Sequence, residues 1–264
     1  MRVLVHVNTL DRVSSFIYSN HIAFAAHNAR KFNGPNDKFF WFSPHRMAID
    51  TARNEAAKQA MGLECDYLMF IDDDVLIPPD AFEKLMDTGT DIAAGLVYLR
   101  GYPFHVMAFT EAKREWLDDG KGNKIEDPRF KLRYYDEIHQ KTMDGEKIIP
   151  CAAVGFSCCL ISVDVLRALE APYFVTGPLN TEDVYFCMKT RHLTPVPTIS
   201  VNTDVRCGHL LNPEPIEFDT KLLLTNFYDN LAKKFEDTVN PDGVPLEDHN
   251  PRNLAYIERN LQRL

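Results

Sequence analysis

Three consecutive carboxylates, Asp72-Asp73-Asp74, are the residues of this sequence best suited to chemistry. They follow a largely apolar run at 67–71, and Pro78-Pro79 opens the next element. Adjacent negative charges repel one another, and packing does not require them. Because Asp72 and Asp74 are two residues apart, an extended chain turns both to the same side. The pair predicts a site for a hard divalent cation that also holds a phosphate, whereas a polar turn capping a helix would need one Asp only.

Strands and helices alternate on both sides of these carboxylates. The predicted strands are Arg2–Val7, Lys38–Phe42, 66–71, Asp91–Leu99, Gly155–Ile161 and Pro195–Val201. The predicted helices are Ser14–Arg30, Thr51–Met61 with Gly62 after it, a short one from Pro79 towards Gly89, Val163–Leu169 and Glu182–Lys189. This alternation predicts an α/β fold, with a mainly parallel sheet flanked by helices on both faces. Ligands of such sheets bind at the carboxyl ends of the strands, where the three aspartates lie.

Length and composition indicate one large domain with a tail. We expect a catalytic domain at 1–212, in which 110–147 is an insertion or long hairpin over the site. We expect a helical extension at 213–264, with helices around Lys221–Phe235 and Asn253–Leu264. The sequence contains no apolar run of about 18 residues, so it predicts no membrane span. Its N-terminus is typical of a first strand and not of a secretory signal, and six cysteines without a CxxC pair indicate free thiols. Together these features favour a cytoplasmic location (host cytoplasm for a viral protein).

A net charge of −9 argues against a broad basic face for nucleic acid, although Lys131, Arg133, Lys141 and Lys147 could form a local groove.

Four features follow one another along the chain: Arg53-Asn54, Asp72-Asp73-Asp74, Thr181-Glu182-Asp183 and His209. Their order and spacing resemble those of GT-A-type, nucleotide-sugar-dependent glycosyltransferases, over roughly residues 1–212. The carriers are a DxD motif closing a strand, the acidic pair of an xED motif opening a helix, and a histidine near the domain's end. The resemblance implies a GT-A (Rossmann-like) fold.

The resemblance also implies a metal site and a donor site. Asp74 would bind Mn²⁺ or Mg²⁺ directly, with Asp72 on the metal or the ribose and Asp73 nearby. His209 would be a further ligand, and its imidazole would favour Mn²⁺ over Mg²⁺; a satisfied structural histidine is the alternative. The donor, a UDP-sugar in preference, would be recognised by the following residues: Thr9, Asp11, Arg12, Arg53 and Gly155. Arg53 could instead be a solvated helix charge, and Gly155 a bulge.

Asp183 is the expected general base of an inverting transfer. At a helix N-terminus its ionised form is favoured, so it can accept the proton of an acceptor hydroxyl. Glu182 would position one of the sugars. The alternative is an acidic pair that only stabilises the helix dipole. Residues that could line the acceptor site are Arg100, Tyr102, His105 and Trp116.

Other functions remain open at this point. A DxD-type phosphohydrolase would carry Thr or Val where Leu76 stands, and a nucleotidyltransferase would need glycine in Asn8–Arg12. A non-catalytic nucleotide- or carbohydrate-binding domain would bind without turnover. Without a membrane segment or the Gln/Arg-rich signature of processive polysaccharide synthases, transfer of a single sugar is favoured. The acceptor is a glycan or a small hydroxylated molecule, or else a hydroxylated DNA base as in phage-type DNA glycosyltransferases.

Overall fold

The computed structural model describes residues 1–9, 13–118, 124–177, 181–211, 214–216 and 229 of the chain. For 114–118, 124–130, 211 and 214–216 it describes the course of the main chain. Within these ranges the strands are β1 Arg2–Asn8, β2 Lys38–Phe42, β3 Tyr67–Asp72, β4 Val75–Leu76, β5 Ile92–Leu96, β6 Ala108–Asp118, β7 Lys124–Tyr134, β8 Ile148–Pro150, β9 Ala153–Val154, β10 Cys158–Ser162, β11 Ile199–Arg206, β12 Gly208–Leu211 and β13 Glu214–Ile216. The helices are α1 Ser15–Ala29, α2 Ile49–Gly62, α3 Ala81–Met86, α4 Ile138–Met143, α5 Val163–Arg167 and α6 Glu182–Thr190.

A seven-stranded sheet forms the centre, in the order β2-β1-β3-β10-β5-β11-β8. Strands β2, β1, β3, β5 and β11 run in one direction, and β10 and β8 run against them. The prediction of a mainly parallel sheet flanked by helices is therefore confirmed. In the register of β1 and β3, Asn8 lies beside Asp72, so two polar residues end neighbouring parallel strands at the same edge.

Alternate residues of the buried strands pack into two cores, one on each face of the sheet. Leu4, Leu68 and Phe70 face the side covered by α2 and α6, and Val5 and Met69 face the side of α1 and α3. Both faces are apolar because helices cover both, which is the reason for the nearly continuous apolar runs of β1 and β3. Each large side chain that is fully buried contributes about 1.5–3 kcal/mol, more than an exposed ion pair at about 0–1 kcal/mol. Packing therefore fixes where the strand ends lie.

Helix α2 begins earlier than the sequence predicts. It starts at Ile49, and Gly62 belongs to its last turn. Asp50 lies in the first turn of the helix, where Oδ1 accepts from the Thr51 amide at 2.7 Å and Oδ2 accepts from the Thr176 amide at 3.2 Å. Asn54, one turn further on, donates to the Phe174 carbonyl and accepts from the Tyr173 amide. These bonds tie α2 to the segment that leads into α6.

Several shorter elements differ from expectation. The strand predicted at Gly155–Ile161 is Cys158–Ser162, and the one predicted at Pro195–Val201 is Ile199–Arg206. The charged segment after Thr110 contains an antiparallel hairpin of β6 and β7. A second, three-stranded sheet has the strand order β13-β12-β4.

The six cysteines are all free, as expected. Among the described helices, none is both long and apolar enough to cross a lipid bilayer. The predicted C-terminal helices lie outside the described residues, apart from the helical Asp229. The domain boundaries stay a prediction.

Candidate active site

A cleft of about 410 Å³ opens at the carboxyl edge of the parallel strands. The ends of β1 and β3, the turn after β3, helix α2 and the start of α6 line it. Its charged lining residues are Arg53, Asp72, Asp73, Asp74, Glu182 and Asp183. The structure thus brings the predicted aspartate triplet and the predicted acidic pair, more than 100 residues apart in the chain, into one cleft.

Asp72 closes β3 and is held from two sides. One oxygen accepts from Arg53 Nη2 at 3.3 Å, and the other accepts from Ser157 Oγ at 2.6 Å. The Asp72 amide donates to the Ser157 carbonyl at 3.0 Å, because β10 pairs with β3 immediately beyond this point. Ser157 is a contact that the sequence reasoning missed. The carboxylate therefore has a fixed orientation at the base of the cleft.

Arg53 lies under the cleft with 2% of its surface exposed. Its guanidinium carbon is 4.9 Å from the ring centre of Phe70 and 5.4 Å from that of Phe156. Nε lies 3.2 Å from Glu182 Oε1, which is an ion-pair distance, although its N–H is not directed at the oxygen. Nε and Nη1 are both buried without a hydrogen-bond partner. Arg53 is thus not a solvated helix charge, and it keeps donor capacity that a buried anion could use.

Glu182 and Asp183 form the first turn of α6, after Thr181 at the N-cap. Burial raises the pKa of Glu182 above its ordinary value of 4.5, and the nearby Arg53 opposes that rise. Asp183 Oδ1 accepts from the Val184 amide at 2.7 Å. A Cβ added to Gly155 would lie 3.5 Å from Asp183 Oδ2 and 2.9 Å from Met107 Cβ. Gly155 therefore allows the main chain, Met107 and the Asp183 carboxylate to meet at one wall of the cleft.

Asp74 and His209 meet because the two-residue strand β4 pairs with β12, with His209 opposite Val75. His209 Nε2 lies 3.4 Å from Asp74 Oδ2, and Arg100 Nη1 lies 3.0 Å from the same oxygen. Burial opposes ionisation of Asp74, but the hydrogen bond and charge of His209, together with Arg100, outweigh it and lower its pKa. His209 is buried, and its Nδ1 lies 2.7 Å from the Tyr98 carbonyl oxygen.

Asp74 and His209 have the chemistry of two ligands of a metal ion. A carbonyl oxygen only accepts, so His209 Nδ1 carries a proton and Nε2 is directed at the carboxylate. His209 Nε2 and Asp74 Oδ2 lie 3.4 Å apart, and an imidazole nitrogen and a carboxylate oxygen can both bind a divalent cation. A histidine whose second nitrogen donates to a main-chain carbonyl is the usual form of a metal-binding histidine. The residues present fit a divalent cation at Asp74 and His209.

Asp72, the predicted third metal ligand, does not join Asp74 and His209. Both oxygens of Asp72 are bound to Arg53 and Ser157. Among the described residues, no three His, Cys, Asp or Glu side chains are arranged to hold a metal ion. The structure brings together two of the three predicted ligands, and the role of Asp72 on a metal stays a prediction.

The residues predicted to bind the nucleotide are placed in part. Thr9 lies at the rim of the cleft, its hydroxyl 2.8 Å from that of Ser43, and Asp73 is a lining residue. Asp11 and Arg12 lie outside the described residues. Sequence reasoning missed Asn8, whose amide oxygen and nitrogen are both buried without a hydrogen-bond partner. A polar residue directly after the apolar run Arg2–Val7 was the available signal.

The acceptor candidates lie on the segment after β5 and on the hairpin. His105 stacks on Tyr134 with ring centres 4.2 Å apart, and Tyr102 donates to Asp229. Burial, followed by the charge of Asp183, raises the pKa of Tyr134. Arg100 contacts Asp74, as described above, and the side chain of Trp116 lies outside the described part.

A cleft at the carboxyl edge of a mainly parallel sheet is the usual position of a ligand site in α/β proteins. The profile of glycosyl transferase family 2 matches residues 26–169, which is more than half of the chain. The chain belongs to glycosyl transferase family 2, and the family resemblance and its GT-A fold are confirmed.

Solved structures of similar fold include A197 from STIV, with 17% identity and a TM-score of 0.50 over 80% of this chain and 86% of that one. HddC from Yersinia pseudotuberculosis has 10% identity and a TM-score of 0.38 over 80% and 94%. Mannose-1-phosphate geranyltransferase from Thermus thermophilus has 9% identity and a TM-score of 0.37 over 80% and 76%. At these identities the likeness to A197 concerns the fold alone. Among curated protein sequences none matches the chain.

Proposed function

We propose that this glycosyltransferase moves a single sugar from a nucleoside diphosphate sugar, preferably a UDP-sugar, to an acceptor hydroxyl with inversion. The observation that carries the proposal is that Asp74 and Asp183 line the same cleft. A donor held by its diphosphate at Asp74 would present its sugar towards Asp183, so that one cleft serves both binding and proton transfer. The catalytic unit would be 1–212, with the hairpin segment 110–147 beside the cleft and 213–264 as an extension.

The donor end of the cleft would be organised by charge. Asp74 and His209 would hold Mn²⁺ or Mg²⁺, with Asp72 and Asp73 nearby. When bound, the ion would neutralise charge that develops on the leaving diphosphate. The free Nε and Nη1 donors of Arg53 support a role on the anionic donor, since an unsatisfied buried donor costs about 1–3 kcal/mol. Thr9, Asp11 and Arg12 would contact the nucleoside.

Asp183 would act at the acceptor end as the general base. Its position in the first turn of α6 favours the carboxylate form, and the nearby Glu182 would position a sugar. Because Gly155 has no side chain, the donor sugar could approach the main chain beside Asp183. The carboxylate would take the hydroxyl proton as the acceptor oxygen attacks the anomeric carbon from the face opposite the diphosphate. The acceptor would be a glycan or small hydroxylated molecule.

A donor screen tests this proposal. Nucleotide release from a panel of nucleoside diphosphate sugars is measured with Mn²⁺, with and without chelator, and the anomeric configuration of the product is read by NMR. Asp183→Asn should lower transfer by roughly 10²- to 10⁴-fold with unchanged donor binding, the usual size of a general-base contribution. Asp74→Asn should abolish the metal dependence. Asp164→Asn, an exposed Asp on α5, is the matched control.

Four results would contradict the proposal or a part of it. If Asp74→Asn leaves metal-dependent turnover intact, the metal assignment is wrong. If Asp183→Asn transfers normally, another group is the base. Binding of donor with no turnover in any combination would favour a non-catalytic domain. A salt-dependent shift on DNA with a hydroxylated base would favour DNA as the acceptor.

A further inference from the structure

Two basic side chains, His209 and Arg100, contact the same oxygen of Asp74, and they are held very differently. The His209 side chain is 8% exposed and fixed by its bond to the Tyr98 carbonyl. The Arg100 side chain is 56% exposed and reaches the carboxylate from the surface, 3.0 Å from Oδ2. His209 is therefore part of the framework of the site, whereas Arg100 can leave it by rotation of its own side chain.

The main chain around Arg100 supports such an exchange. The Leu99 amide donates to the His105 carbonyl at 2.8 Å, and the Phe104 amide donates to the Gly101 carbonyl at 2.8 Å. These bonds close the loop that carries Arg100, so the backbone holds its place while the long side chain reaches inward. An exposed ion pair of this kind contributes little to stability, at about 0–1 kcal/mol. Its loss therefore costs little when a stronger ligand competes.

We infer that Arg100 is an internal competitor for the divalent cation, bound to Asp74 Oδ2 until the cation arrives and then passing to the diphosphate of the donor. The inference rests on the proposed function, because it requires a cation at Asp74. A divalent ion and a guanidinium on one carboxylate oxygen repel each other, so the exposed and weaker partner leaves. A diphosphate is the better partner for the released guanidinium, since its oxygens accept two parallel hydrogen bonds from arginine.

The first measurement is the affinity for Mn²⁺ alone, from the electron paramagnetic resonance signal of free Mn²⁺. Arg100→Gln should bind Mn²⁺ roughly two- to fivefold more tightly than wild type, the range expected for removal of one exposed ion pair. Arg167→Gln is the matched control, because Arg167 also contacts an aspartate, Asp164, at 2.7 Å but on α5. Its Mn²⁺ affinity should be that of wild type.

The second measurement uses pyrophosphate as the probe, at saturating Mn²⁺. Arg100→Gln should bind it more weakly than wild type, so that the same substitution strengthens one ligand and weakens the other. Arg100→Lys keeps the charge and should restore the Mn²⁺ affinity of wild type, yet it should remain weaker for pyrophosphate because an ammonium cannot donate two parallel bonds.

The outcomes separate this inference from the proposed function. If Asp74→Asn binds Mn²⁺ as wild type does, the metal assignment itself fails. If Asp74→Asn loses Mn²⁺ but Arg100→Gln binds it no more tightly than wild type, the exchange is wrong and the metal site stands. A crystal structure with Mn²⁺ on Asp74 and Arg100 still on Oδ2 would also overturn the exchange.

Discussion

Both edges of the central sheet carry carboxylates, but these have different partners. At the amino edge of the parallel strands, Asp66 accepts from the Arg2 amide at 2.7 Å, and Asp91 accepts from the Thr198 amide at 2.7 Å. At the carboxyl edge, Asp72 and Glu182 share Arg53. Asp66 and Asp91 thus each accept from a main-chain amide, whereas Asp72 and Glu182 each pair with a side-chain cation.

This difference shows how a binding site can be told from a structural acid in the same sheet. An amide partner of Asp66 or Asp91 cannot be given up without moving a strand. A guanidinium has several N–H donors and can bind a ligand with those its carboxylate partners do not use; in Arg53, Nε and Nη1 have no hydrogen-bond partner. The pairing with one buried guanidinium therefore sets Asp72 and Glu182 apart from Asp66 and Asp91.

The largest test of this contrast is the removal of Arg53. Arg53→Gln leaves Asp72 and Glu182 without their shared buried cation, so we expect the free energy of unfolding to fall by about 3–5 kcal/mol. Arg167→Gln removes an exposed arginine at the other edge and should cost about 0–1 kcal/mol. Urea unfolding of both variants measures the difference.

Arg53→Lys separates the contribution of the positive charge from that of the guanidinium geometry. Lysine keeps the positive charge but loses the planar fork that stacks on Phe70 and reaches both carboxylates. We expect it to recover part of the lost stability only. Equal losses for Arg53→Gln and Arg167→Gln would mean that the two edges do not differ in this way.

A second test compares two glycines with similar crowding. A Cβ at Gly155 would overlap Met107 Cε and lie 2.9 Å from Met107 Cβ, and a Cβ at Gly95 would lie 2.9 Å from Val205 Cγ1 and 3.0 Å from Cys207 Sγ. Each alanine variant should lose about 1–3 kcal/mol of stability through overpacking.

Their effects on transfer should differ. Gly155→Ala displaces Met107 into the cleft beside Asp183, so its turnover per folded molecule should fall as well. Gly95→Ala crowds the core between β5 and β11, and its folded fraction should transfer normally. Folded fraction from circular dichroism and turnover from nucleotide release separate the two quantities. A Gly155→Ala variant that is destabilised but fully active would place the sugar elsewhere.

The sequence predicted the local features of this site, and the structure was needed for the contacts between distant segments. An apolar run ending in Asp72 and a threonine before Glu182 are patterns of a few residues, readable as a strand end and a helix start. The burial of Arg53 depends on Phe70 and Phe156, which arrive from other parts of the chain. The meeting of Asp74 with His209 depends on β4, a strand of two residues that is too short to show a pattern.

The smallest expected effect is that of Glu182 on the pH dependence of the free energy of unfolding. Burial raises the pKa of Glu182 above the value of 4.5 that it has in the unfolded chain. Between these two values the folded state binds more protons, so the stabilising contribution is complete below pH 4.5 and is lost as the pH rises through the folded-state pKa. Glu182→Gln cannot titrate, so the fall in unfolding free energy with rising pH should become shallower in this variant.

Urea unfolding at several pH values from 4 upward measures this slope, with Glu55→Gln as the control for the loss of one carboxylate from a helix. The Glu55 side chain is 41% exposed and pairs with Lys58 on the outer side of α2, whereas Glu182 pairs with Arg53 on the inner side of the same helix. If the unfolding free energy of both variants depends on pH with the same slope, burial does not give Glu182 a different titration from that of Glu55. If only Glu182→Gln is shallower, the buried Glu182 carboxylate carries an electrostatic cost that a bound cationic or hydrogen-bonding group can relieve.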